Sequence, residues 1–186
     1  MTELSRAVFL SYASQDSEAA RRICEALRAA GVEIWFDQSD LRGGDAWDQR
    51  IRLQIRECAL FMALISANTD ARPEGYFRLE WKLAVDRSHL MADDEPFLLP
   101  VVIDGTDEAT ARVPDRLRQV QWTHLPRGET PPAFVERVSN LLRVERTPAS
   151  RRPAPPVGAP ARAPQPPRRL TFALLLSAAA LIIVAA

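Results

Sequence analysis

Glu80 stands between Leu79 and Trp81 in the stretch EGYFRLEWKLAVDRS, residues 74–88. On a helix advancing about 100° per residue, with Tyr76 set at zero, Glu80 falls at about 40°, Ala84 at about 80°, Phe77 at about 100° and Leu83 at about 340°. The carboxylate is therefore expected in the middle of an apolar face, with Arg78, Lys82 and Asp86 on the opposite, solvated side. A charge on such a face is costly unless it is paired or opens onto a cleft. The pattern alone leaves two readings open. Glu80 is either a carboxylate held for chemistry or one half of an internal ion pair with Arg50, Arg52 or Arg87.

The other reactive side chains offer less. Cys24 and Cys58 fall inside helical patterns without a CxxC spacing or a nearby histidine cluster, which reads as two buried thiols in a reducing compartment. His89 and His124 are too few and too scattered for a zinc site or a catalytic triad, so no metal is expected. Neither a phosphate-binding Walker loop nor a GxSxG elbow occurs. The start, MTELSRAVFLSYA, is acidic and lacks a long apolar core, unlike a signal peptide.

The formal net charge of zero hides a division. Residues 1–145 hold all 24 acids against 18 of the 24 bases, a net of −6, whereas residues 146–186 hold six arginines and no acid. An acidic head with a basic tail is a poor nucleic-acid binder, and no nucleic-acid partner is expected. From Pro148 to Arg169 the composition turns to PASRRPAPPVGAPARAPQPPRR, with eight of the chain's fifteen prolines. Such a stretch reads as an extended spacer. Leu170 to Ala186, LTFALLLSAAALIIVAA, is uncharged throughout and at 1.5 Å per residue spans roughly 25 Å, the short end of a membrane crossing. Arginines on its N-terminal flank would place that side in the cytoplasm. The expected organisation is a head over 1–146, a linker over 147–169 and a membrane helix over 170–186, either a tail anchor or part of a longer protein.

The elements that must position Glu80 alternate between strand and helix. RAVFLSYA reads as a buried strand, SQDSEAARRICEALRAAG as a helix with apolar Ala20, Ile23 and Leu27 ending at Gly31, and VEIWFD as a second strand. AWDQRIRLQIREC is a helix with Trp47, Ile51, Ile55 and Cys58 on one side. ALFMALIS is an apolar strand, the Glu80 stretch is the next helix, PFLLPVVID the next strand and VQWTHL a weaker fifth. PPAFVERVSNLLRV closes the head with Phe134, Val138, Leu141 and Leu142 on one face. Continuous apolar strands separated by helices mean a parallel sheet covered on both sides. Ligands of such sheets sit at the C-terminal ends of the strands, here Ser11–Ser14, Asp37–Asp45, Ser66–Gly75 and from Asp104 onward.

The order and spacing of these pieces resemble a TIR (Toll/interleukin-1 receptor) domain over about Arg6 to Val144. VFLSYASQD is similar to the family's first box, and VEIWFDQSDLRGGDAW to its second strand and BB loop. IRECALFMALIS is similar to its third strand ending in serine, and Tyr76-x-x-x-Glu80 to its aromatic-x-x-x-glutamate helix, with LLPVVID after it. The resemblance implies an α/β, flavodoxin-like fold: a five-stranded parallel sheet of order 2-1-3-4-5 with helices on both faces. Many members, notably bacterial and plant ones, cleave NAD⁺ at the nicotinamide–ribose bond, whereas others are interaction modules. The implied catalytic residue is Glu80, and NAD⁺ is a substrate, with no cofactor required. Tyr12, Ala13 and Arg42 match positions that touch the nucleotide. Ser11 and Ser66 at strand ends could bind ribose or phosphate, or act as local caps. Asp37 could anchor the BB loop or end a strand, Gly43 and Gly44 supply a turn, and Tyr76 could stack on nicotinamide or simply pack. Ala13 stands where a long basic residue is common, and Tyr76 where tryptophan is usual.

The implied partners are further copies of the chain, other TIR proteins and, through Leu170–Ala186, a membrane. The competing reading is a non-catalytic TIR scaffold assembling through its BB loop. The sequence disfavours a response-regulator receiver, since the third strand ends in Ser66–Ala67 rather than an aspartate, and a flavodoxin, since SYASQD does not offer a flavin-phosphate loop.

Overall fold

In a parallel sheet every strand must be flanked by a crossover element, and the alternation of apolar runs delivers that arrangement. The computed structural model describes residues 6–36 and 45–143. They fall in the first of two units, Met1–Thr147, while the second, Pro148–Ala186, lies outside the described residues. Five parallel strands, β1 (Val8–Ser11), β2 (Ile34–Trp35), β3 (Leu60–Ile65), β4 (Leu98–Val102) and β5 (Thr123–His124), form one sheet in the order β2-β1-β3-β4-β5. β1 is flanked on both sides, with Val8 opposite Ile34 and Leu60, and Ser11 opposite Ala63.

Among the described residues six α-helices surround the sheet: α1 (Ser17–Ala29), α2 (Asp45–Glu57), α3 (Ala67–Ala71), α4 (Tyr76–Ser88), α5 (Asp115–Arg118) and α6 (Pro132–Arg143). Side chains alternate across each strand and so sort into two layers. Val8, Leu10, Met62, Leu64 and Val101 pack with Ile23 and Leu27 of α1 and Phe134 and Val138 of α6. Phe9, Ala63, Ile65 and Val102 face the other way, with Ile51 and Ile55 of α2, Phe77 and Trp81 of α4 and Leu117 of α5. Trp81 and Phe61 are the largest fully buried side chains, and removing either ring would cost about 3–5 kcal/mol.

Local chemistry ends α1 where the sequence says it should. Gly31 adopts φ 77°, its amide donates to the Arg28 carbonyl at 2.9 Å and the Val32 amide to that of Leu27 at 3.0 Å. These two bonds make a Schellman cap, and Leu27 and Val32 share the core behind it.

Several expectations need adjusting. The run at 32–37 pairs as a strand over Ile34–Trp35 alone, and the one at 120–125 over Thr123–His124 alone. Short α3 and α5 were not foreseen. On α4, Tyr76 is 54% exposed, whereas Phe77, Glu80, Trp81 and Ala84 are buried. The buried face is therefore centred about 100° from Tyr76 rather than on it, and Glu80 lies on its margin. Arg78, expected in solvent, is half-buried. Among the described residues no helix is long and apolar enough to cross a membrane. Leu170–Ala186 and the linker lie outside those residues.

Candidate functional site

Glu80 owes its position to the way α4 begins. Gly75 precedes the helix at φ 157°, ψ 159°, a conformation that only glycine adopts readily, and a Cβ there would sit 2.6 Å from the Phe77 ring. The chain can thus turn into α4 with the Phe77 ring folded beneath it. Phe77 meets Trp81 edge-on with ring centroids 5.2 Å apart. The Arg78 guanidinium lies 4.9 Å from the Phe77 centroid and 5.3 Å from that of Trp81.

That guanidinium also binds the loops together. It donates to the carbonyls of Thr69 (2.6 Å), Arg72 (2.9 Å) and Arg112. The Arg112 amide in turn donates to Asp70 Oδ1 at 2.7 Å. Burial lowers the Arg78 pKa, opposed by the Asp70 charge and assisted by that of Arg112. One side chain therefore fixes the approach to α4 from both α3 and the segment after β4.

With α4 held against the sheet, Glu80 is 9% exposed and faces the end of β1. The Ser11 hydroxyl, fully buried, donates to Glu80 Oε2 at 2.6 Å. Ala13 emerges on the same face and is buried. Tyr12, between them, points to the other layer and stacks on Phe36, with centroids 5.1 Å apart and planes at 25°. Tyr76, one turn before Glu80, is the exposed aromatic at this margin. Of the residues expected at a site, Ser11, Ala13 and Glu80 therefore share one face, with Tyr76 beside them. Tyr12 lies across the sheet, and Asp37, Arg42 and Gly43 lie outside the described residues.

Ser66 is engaged elsewhere. Its hydroxyl donates to Asp16 Oδ2 at 2.5 Å and accepts from the Thr69 amide at 3.1 Å, capping α3. Asp16 also accepts from Asn68 Nδ2 at 2.6 Å. Asp16 and Glu80 are the buried carboxylates among the described residues, and Asp16, the last residue of the first-box stretch VFLSYASQD, was not among the expected site residues. Its signal was present, since an aspartate five residues beyond Ser11 follows the first strand of an α/β sheet. The neighbouring Asp104, just past β4, accepts from the Ala67 amide at 2.7 Å and the Thr106 hydroxyl at 2.6 Å. Burial pushes its pKa upward, but the Thr106 hydroxyl and the Ala67 and Thr106 amides together outweigh this and hold it below the ordinary value.

Of the ion-pair partners expected for Glu80, Arg50 is exposed, and Arg52 and Arg87 make contacts of their own. Arg52 Nε meets Asp48 at 3.2 Å. Arg87 donates to the carbonyls of Ile55 and Cys58 at 2.6 and 2.7 Å, over the Phe97 ring at 4.4 Å, and so caps the C-terminus of α2. Among the described residues no group of three or more His, Cys, Asp or Glu is placed to hold a metal. At the sheet's C-terminal margin Glu80 is thus a buried carboxylate that accepts the Ser11 hydroxyl, on a mostly dry face beside an exposed tyrosine. Such a group can stabilise a cation developing within a few ångströms, because water screens it little there.

The comparisons agree with this geometry at the level of fold. The solved structures that resemble the chain include a metazoan TIR-STING receptor from C. gigas in complex with 2′,3′-cGAMP (21% identity, TM-score 0.54). That match covers 73% of this chain and 38% of the receptor, so the chain spans well under half of that protein's length. They also include the TIR domain of the Toll-related receptor TRR-2 from Hydra magnipapillata (14% identity, TM-score 0.54), with 73% of this chain and 97% of that domain covered. No curated protein matches the sequence. The family model of the TIR domain matches residues 8–141, most of the head and well over half of the chain. The chain belongs to the TIR domain family.

Proposed function

We propose that this TIR domain cleaves NAD⁺ to nicotinamide and an ADP-ribose product when copies of it associate, with Glu80 as the catalytic residue. The carrying observation is the buried Glu80 carboxylate, which accepts the Ser11 hydroxyl at 2.6 Å where β1 ends. It stands at the C-terminal end of an interior strand, where ligands of such sheets bind, and this placement suits a catalytic carboxylate.

One carboxylate suffices for this chemistry. A glycosidase needs an acid to protonate its leaving oxygen, hence a pair. In NAD⁺ the leaving nitrogen already belongs to a pyridinium. When the C1′–N bond breaks, its electron pair returns to the ring and nicotinamide departs neutral. The positive charge passes to the ribose as an oxocarbenium ion, which Glu80 stabilises or captures until water adds and releases a proton. Tyr76 lies beside this position and can stack on the departing ring. Asp37, Arg42 and Gly43 belong to the BB loop, and we place the remaining contacts there, with a neighbouring copy's loop completing each site. The tether is the proline- and arginine-rich segment to Arg169, followed by a membrane helix over Leu170–Ala186, with the TIR domain on the cytoplasmic side.

A scaffold role is the second reading, and one observation favours it. Ser11, Ala13 and Ser66, all expected at the nucleotide, are at most 1% exposed. The two readings part on one test. The full chain, dispersed and then clustered at high density on beads, is given NAD⁺. Nicotinamide release that rises on clustering supports the enzyme, whereas assembly without release supports the scaffold.

A further inference from the structure

We propose that Ser11 is a positioning residue for Glu80, orienting its carboxylate without touching substrate. The proposal rests on the NAD⁺-cleaving reading above and deepens it. Ser11 is fully buried, and its hydroxyl hydrogen is committed to Glu80 Oε2 at 2.6 Å. Its oxygen keeps lone pairs that could accept, but full burial leaves a substrate hydroxyl no open path to it. The two residues are 69 positions apart and arrive from different elements, the interior strand β1 and the helix α4 packed across it.

The pairing is asymmetric in stiffness. Ser11 has one side-chain torsion to the hydroxyl oxygen and sits on a strand flanked by β2 and β3, with Ala63 directly opposite. Glu80 has three torsions, the last of them broad, and rotamer preference alone does not fix where its oxygens lie. The hydroxyl therefore transfers the rigidity of the sheet to the carboxylate and sets the plane of its two oxygens. A carboxylate that must lie a few ångströms from a transient cation loses effect steeply when its orientation drifts. This predicts a split that a substrate contact would not give: loss of the hydroxyl slows the chemical step and leaves binding alone.

The test is steady-state NAD⁺ cleavage by the clustered full chain, wild type against Ser11→Ala, Ser11→Thr and Ser11→Cys, with thermal unfolding of each. Ser11→Ala is expected to lower kcat about 10- to 100-fold with KM within about twofold, as for other orienting partners. Ser11→Thr, which restores the hydroxyl, should recover most of the loss. If Ser11→Ala does not fold, Ser11→Cys decides, its weak donor giving an intermediate kcat at unchanged KM. An unchanged kcat in a folded Ser11→Ala chain would overturn the positioning role alone. So would a rise in KM at constant kcat, which would make Ser11 a substrate contact. A wild type that releases no nicotinamide would overturn the enzyme reading, and the positioning role with it.

Discussion

The Ser66 hydroxyl donates to Asp16 Oδ2 at 2.5 Å and joins the turn after β1 to the N-cap of α3, across 50 positions of sequence. Both residues are buried, and Asn68 supplies Asp16 with a second donor. Ser66→Ala removes the cap of α3 and one donor to a buried carboxylate. The expected loss is about 2–3 kcal/mol, read as a lower midpoint in urea unfolding at constant slope. A variant within about 0.5 kcal/mol of wild type would show that the link contributes little.

Arg78 should be among the most sensitive charged residues of the described head. Alanine there leaves the Thr69, Arg72 and Arg112 carbonyls without their shared donor and strips the cation from the Phe77 and Trp81 rings. The expected cost is about 2–3 kcal/mol, and lysine should recover less than half of it because an ammonium lacks the planar fork. Amide hydrogen exchange over 69–72 and 109–112 should quicken in Arg78→Ala before the sheet itself loosens.

Asp104 gives the stability a pH signature. Its pKa is lower in the folded chain than in the unfolded one, so the unfolded state binds the proton more readily. The contribution is thus full above about pH 4, the unfolded value, and is lost as pH falls through the folded pKa. Urea unfolding of wild type and Asp104→Ala should differ at pH 7 and draw together as pH falls below about 4. A gap that stayed constant across that range would remove the Asp104 carboxylate as its source.

Gly128 tests a close approach between two stretches of backbone. It adopts φ 78°, and a Cβ there would lie 2.5 Å from the Ala19 carbonyl oxygen and 2.8 Å from the Ala19 Cα. Gly128→Ala combines backbone strain with a clash against α1, and a loss above about 2 kcal/mol is expected from thermal unfolding.

Neither cysteine should react in the native chain. Cys58 is fully buried, and burial pushes its thiol up to about 11, which Arg87 only partly opposes. Burial raises Cys24 as well. Since the thiolate is the reactive form, maleimide at pH 7 should label both sites only upon unfolding.

These residues also mark what the sequence could convey. Strand-length apolar runs and 3.6-residue periodicity placed β1, β3, β4, α1 and α6 close to where they lie, because burial on two faces or one is written directly in the hydrophobic pattern. The Ser11–Glu80 bond was half legible: Glu80 showed on the apolar side of α4, while its donor waited on the packing of that helix across β1. Arg78 was misplaced because a basic residue opposite an apolar face reads as solvated, and the carbonyls it serves come from 69–72 and 112, whose loops have no periodic signal. Tyr76, set on the apolar face, proves exposed for a related reason, while Trp81 is buried. Two aromatics five residues apart fit several helix rotations, and the contact of Phe77 with Trp81 selected the one that buries Trp81. Short α3 and α5 depend on capping by Ser66 and on tertiary contacts rather than on amphipathic length.

The central claim is that Glu80 carries NAD⁺ cleavage. Its most direct test is nicotinamide release by the clustered full chain, wild type beside Glu80→Gln, which keeps the shape and the ability to accept from Ser11 but removes the charge. Release by wild type and a loss of at least about 100-fold in a folded Glu80→Gln chain is the expected result. Equal release by both, or none by a wild type that still assembles, would contradict it.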